Sequence, residues 1–300
     1  MIPPPPDSPP PLKGSGLSRE LRSTIVAILV ILIIVIGIIG YAIAGYAFAS
    51  TRVAIADKSL NTVITNQNSL NSTFQQIDSQ FNSLSSATSF DPKKARILSD
   101  QFVTNWKTAG VTVDKDDATL VSAKGYLGEQ GWITLFGQQL LNREMGRIDH
   151  ARRALSTAKT IAGDYVQDGE FLQAYFDIFV DVEATQALAD SGDFSGAKLR
   201  VDTMKVHADH AVQLSNAPGL PAQVHDLTMD LKVAAADFGK LFEAILSHNP
   251  DAITAATATA TATADKISAY NFDNINQAIR GFYRPLIDTF NSEMAKATAA

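Results

Sequence analysis

Between residues 23 and 51 the chain carries no charged side chain, and the early part of that run is dense in Ile, Val and Leu. A signal-peptide core is roughly 7–15 residues and a membrane-spanning helix needs about 20, so the run is long enough to span. Tyr41, Tyr46 and Phe48 close it. Aromatic residues gather at membrane–water interfaces, which puts the hydrocarbon core between residues 24 and about 43. Ala47-Phe48-Ala49 also forms an A-x-A pattern, cleavable after Ala49. The length of the run favours a retained signal-anchor helix over residues 23–50. No later run is long and apolar enough to cross a bilayer.

Beyond the anchor the pattern becomes a 3.5-residue repeat. Val53, Ala56, Leu60, Val63, Gln67, Leu70, Phe74, Ile77, Phe81 and Leu84 form one seam, broken only by Gln67. Such a repeat predicts a stalk helix over residues 51–90 that packs in a coiled coil or bundle. A buried Gln67 would need a hydrogen-bond partner. Asp91 and Pro92 then read as the cap and first residue of a second helix.

The remainder, residues 91–300, reads as helix throughout. No stretch sustains the two-residue alternation of a strand. A third helix is predicted from about 130 to 162, with Trp132, Phe136, Leu140, Ile148, Leu155 and Ile161 on its core face. A fourth is predicted over 168–190, a fifth ending near 215, and a sixth over 221–247. Asn249-Pro250-Asp251 predicts a helix start. The Ala/Thr repeat after it mixes helix and strand preferences and leans to helix. The last seam is Phe272, Ile275, Ile279, Phe282, Leu286, Phe290 and Met294, with Pro285 expected to kink or divide it. Packed on the stalk seam, it would bring the C-terminus back towards the membrane. The predicted class is all-α: one transmembrane helix followed by an elongated extracytoplasmic helical bundle.

Charge adds topology and a pairing. Lys13, Arg19 and Arg22 precede the apolar run, while only Arg52 and Lys58 follow it before Lys93. The positive-inside rule then puts the N-terminus in the cytoplasm and the main domain outside. The tail over residues 1–22 is proline-rich, reads as disordered, and favours extended polyproline II segments. Arg143, Arg147, Arg152, Arg153 and Lys159 are followed, from Asp164 to Asp193, by acids alone. A turn near Gly163 would fold these two charge sets against each other as a hairpin. Net charge is −6 and the pI about 5.3, so no basic field calls for nucleic acid. There is no Cys, which excludes disulfides and thiolate chemistry.

Candidate chemistry is sparse. No hydrolase, zincin, phosphate-loop or dinucleotide motif is present. His207 and His210 are three apart, on one helix face, and His225 follows the Asn216–Pro221 turn. Imidazoles so placed suit a divalent metal, the one cofactor the sequence suggests. Trp106, Trp132, Tyr175 and Phe176 are candidates to line a ligand pocket, though each also fits a core face. Gly37, Gly40, Ala44 and Ala47 form a small-residue stripe that would let a second copy approach. The reading is a non-enzymatic, membrane-anchored interaction or scaffold protein of the cell envelope, with a ligand- or metal-binding, sensor-like domain as the alternative. Its expected partners are the lipid bilayer through residues 23–50, a homodimer mate and an envelope protein.

Overall fold

A computed structural model describes residues 19–85, 90–129 and 135–299. Within them the chain is helical, and no strand occurs among the described residues. The proline-rich tail to residue 18 and Trp132 lie outside them, as do the side chains of Phe74, Ile77, Phe81, Leu84 and Phe136.

The first helix, α1, runs Arg19–Ser85 without a break. At 1.5 Å per residue its 67 residues span about 100 Å. The apolar run and the stalk seam therefore belong to one element. Ala56, Leu60 and Val63 are fully buried, as the seam predicts. Further up, Ile34, Ile36, Ile38, Ile39 and Ile43 are all more than half exposed. By length and composition the stretch Ile34–Ser72 could cross a membrane.

Helix α2, Pro92–Gly128, returns antiparallel to α1. Asp91 caps it, accepting from the Lys94 backbone N–H at 3.0 Å, with Pro92 at the first position as predicted. A 3-10 turn, Leu135–Gly137, leads into α3, Gln138–Asp190. Here the structure departs from the sequence reading. Residues 130–134, where the sequence predicts the third helix to begin, lie outside the described residues, and no hairpin forms at Gly163. Instead α3 continues through both predicted helices as 53 residues.

The basic and acidic halves of α3 pair with α2, not with each other. Lys124–Asp149, Arg152–Asp117, Lys159–Asp114, Lys107–Glu170, Arg96–Asp177 and Lys93–Glu183 lie at 2.6–2.9 Å. The α2 number falls as the α3 number rises, which fixes an antiparallel register along the whole of α2. A lone Gly costs a helix about 1 kcal/mol relative to Ala. That is too little to break α3 where α2 supports it on both sides of Gly163.

Helices α4 (Phe194–Leu214), α5 (Ala222–Leu246) and α6 (Pro250–Ser268) follow as successive antiparallel neighbours. Only Ala260 of α6 is buried. Polar bonds tie it down: Lys266 Nζ and the Tyr270 hydroxyl to Asp230 at 2.7 and 2.8 Å, and Thr263 to Asp237 at 2.9 Å. The last helix, α7 (Phe272–Thr298), is not divided at Pro285. Proline removes the bond to the carbonyl four residues back. That residue, Gly281, is exposed, so water can take the acceptor.

The final seam is also corrected. Phe272 and Phe282 stay exposed, while Tyr283 is buried. Helix α7 packs chiefly on α3, antiparallel to it. Its end reaches α1 through Arg147, which donates to Asp57 of α1 at 3.0 Å, Glu144 at 2.8 Å and the Ala297 carbonyl at 2.9 Å.

Two apolar cores result. One joins α1, the end of α2, the start of α3 and Ala297. The other joins the later part of α3 with α4, α5 and Ile275 of α7. Between them, around residues 158–168 of α3, lies the candidate site.

Candidate binding cavity between four helices

A half-open cavity of about 530 Å³ lies between α1, α2, α3 and α7. Small residues make the room: Ala109 on α2, and Ala158 and Ala162 on α3. The walls are Leu70 of α1, Val113 of α2, Ile161 of α3, and Ile287, Phe290 and Met294 of α7. The stalk and C-terminal seams thus face one another here across a gap. Gln67, Asn68, Asn71 and Asn291 supply carboxamides, and among the described residues no charged side chain lines the space.

Gln67 is fixed by a specific partner. Its amide donates to Asp116 Oδ2 at 2.9 Å, and Asn66 donates to Oδ1 at 2.8 Å. Asp116 is itself buried. The break in the seam is therefore a polar lock that sets the register of α1 on α2.

One wall continues as an aromatic column. Trp106 of α2 stacks on Tyr165 of α3 with centroids 4.6 Å apart, and Tyr165 stacks on Tyr283 of α7 at 4.2 Å. Phe102 packs edge-on against Trp106 and Tyr165. The Tyr283 hydroxyl donates to Asp168 Oδ2 at 2.6 Å and approaches the Pro218 carbonyl at 3.2 Å. Gly219, with φ of +89°, lies against that ring, and a Cβ there would come within 2.7 Å of the hydroxyl. Only glycine holds this backbone without strain.

Asp168 is 6% exposed, and its other oxygen, Oδ1, has no hydrogen-bond partner. Burial pushes its carboxyl up to about 7, against the downward pull of the Tyr283 bond and with a further push from Asp164. The Tyr283 phenol is raised above its ordinary range, first by burial and then by Asp168. The pair is a buried acid that titrates near neutrality beside the cavity's aromatic wall.

Two of the three histidines, His207 and His225, take separate partners. His207 Nδ1 lies 2.7 Å from Asp181 Oδ2, whose other oxygen pairs with Arg200 at 2.6 Å. His225 Nδ1 lies 2.7 Å from Ser215 Oγ. His210 is exposed. Among the described residues, no group of three or more His, Asp or Glu side chains is placed to hold a metal ion. Of the candidate pocket aromatics, Trp106 lines the cavity. Tyr175 and Phe176 pack instead with Phe90 and Phe179.

Of the cavity, only Trp106 was legible in the sequence. The rest of the lining looks like core on each helix, and the space depends on which seams meet. The chain matches no protein-family model, no curated protein and no solved structure.

Proposed function

We propose that the chain is a single-pass membrane protein whose helical domain stands outside the cytoplasm as an elongated interaction or scaffold module of the cell envelope. The carrying observation is α1. Its residues 34–41 are exposed on every face, Ile34, Val35, Ile36, Ile38 and Ile39 among them, while farther along the same helix buries one face in the bundle. Such a surface suits lipid and is unfavourable in water. The Lys and Arg excess before the run favours an inside N-terminus. Arg52, just beyond the run, is buried and held by Glu129, so it adds little positive charge on that side. The small-residue stripe at Gly37 and Gly40 has open space around it, which a second copy could occupy. The reading assigns no catalytic step.

A second reading, a ligand-binding domain, is favoured by the cavity. Its volume falls within the roughly 300–1,000 Å³ of small-molecule sites. Its uncharged lining suits a neutral molecule with an apolar body and one hydrogen-bonding end. Native mass spectrometry of the full chain released from lipid nanodiscs separates the readings. The bare chain mass, as monomer or dimer, supports the scaffold reading. A retained small molecule lost on Ala162→Phe, which fills the cavity, supports the ligand reading.

A further inference from the structure

Four helices border the cavity, and one of them has a weak point beside it. Helix α7 carries Pro285, whose missing N–H leaves the Gly281 carbonyl without its helical partner. Kinks in helices gather at such positions. The two sides of Pro285 are fastened differently. Before it, Tyr283 is buried, bonded to Asp168 and packed against Gly219. After it, residues 286–298 bury only Ala297. Their fastening is polar. Glu293 accepts from Arg153 at 2.6 Å and lies 2.8 Å from His150, and the Ala297 carbonyl accepts from Arg147 at 2.9 Å.

This second half of α7 supplies that helix's share of the cavity wall. Ile287, Phe290 and Met294 line the space together with Leu70, Val113 and Ile161. Ile287 is nevertheless 42% exposed, because it borders a gap and not a packed neighbour. Closing over an apolar body would take such surface out of water, which favours the movement. The polar part of the lining divides between the same two helices. Asn291 lies on α7, Asn68 and Asn71 lie on α1, and all three are exposed. Gln67, in contrast, is committed to Asp116. A carboxamide both donates and accepts, so the three suit an uncharged group that does both, such as an amide or a hydroxyl. Among the described residues no charged side chain lines the space to pair with an ionised end.

We propose that residues 286–298 of α7 form a lid, hinged at Pro285, that closes the cavity over a neutral amphiphile whose amide or hydroxyl end is held by Asn68 and Asn71 of α1 and Asn291 of the lid. The inference rests on the reading of the cavity as a ligand site. The bond from Tyr283 to Asp168 keeps the first half of α7 in place while the second half moves.

Hydrogen exchange read by mass spectrometry on the full chain in nanodiscs tests the lid, with decanamide and decanoate as probes. Native mass spectra of the same samples report which probe is retained. Without a probe, residues 286–298 should exchange as one unit, several-fold faster than residues 272–284. Decanamide should be retained and should slow exchange over 286–298 several-fold, and decanoate should do neither. Ala162→Phe should abolish both effects, and Asn291→Leu should weaken the protection several-fold. Decanamide that is retained, and lost on Ala162→Phe, yet leaves exchange over 286–298 unchanged would overturn the lid and leave the ligand reading standing. An exchange rate that merely climbs towards residue 298 is fraying and would overturn the hinge. Equal retention of decanoate would overturn the neutral class, and full protection in Asn291→Leu would overturn the part given to the lid's carboxamide. Retention of neither probe would overturn the lid and the ligand reading together.

Discussion

At the residue scale, two buried carboxyl groups, Asp168 and Glu144, do the specifying. Asp168 is held in the fold with a proton affinity well above that of an unfolded carboxyl. Its folded pKa, about 7, exceeds the ordinary carboxyl value of 3.8, so between those values the folded state binds more protons than the unfolded state. Stability should therefore fall as pH rises from about 4 to 7, with a slope for this one group of at most about 1.4 kcal/mol per pH unit. Asp168→Asn should flatten that dependence in urea titrations across the window; an unchanged slope would count against the burial argument. Arg147 links Asp57, Glu144 and Ala297, and Glu144 is 3% exposed. Arg147→Ala leaves that carboxylate buried without its ion-pair partner and should cost about 3 kcal/mol by chemical denaturation.

At the element scale, the decisive feature is the continuity of α3. Gly163 is exposed, and nothing lies within 4 Å of where a Cβ would stand. Gly163→Ala should raise stability by up to about 1 kcal/mol, whereas a turn at this position would make it destabilising. The same change at Gly219 should destabilise, because its positive φ and the Tyr283 ring exclude a side chain. Helix α6 is held largely through Asp230 and Asp237. Asp230→Ala should speed amide exchange in α6 while leaving α3 and α4 protected.

Much at this scale was legible in the sequence. The cap at Asp91 and the breaks near residues 191–193 and 216–221 follow from local chemistry. So do the helical character of the Ala/Thr repeat and the burial of Ala56, Leu60 and Val63. What failed required knowledge of a neighbour. The acids after Asp164 seemed to need the arginines before it, but α2 carries both signs in the matching antiparallel order. In the last helix the seam passed through Phe282, three residues after Ile279; the bond from the Tyr283 phenol to Asp168 turns Tyr283 inward instead. The cavity was legible only at Trp106, since its other lining residues are core-like until four helices are set around them.

At the scale of the whole molecule, one helix joins an exposed apolar surface to the folded core. The exposed stretch of α1 continues without a break into the bundle, where Gln67–Asp116 and Arg147–Asp57 hold it. The cavity and the Asp168–Tyr283 pair sit between the two cores, where relative movement of those cores would be felt. The central claim is that this helix crosses a membrane and leaves the bundle on the far side. Labelling with an impermeant maleimide in spheroplasts tests it most directly, using single-cysteine versions of the full chain. The account predicts that Leu199→Cys reacts in intact spheroplasts and that Lys13→Cys reacts only after permeabilisation. Protection of position 199 with reaction at position 13 would contradict the orientation, and reaction at both positions in intact spheroplasts would contradict the crossing.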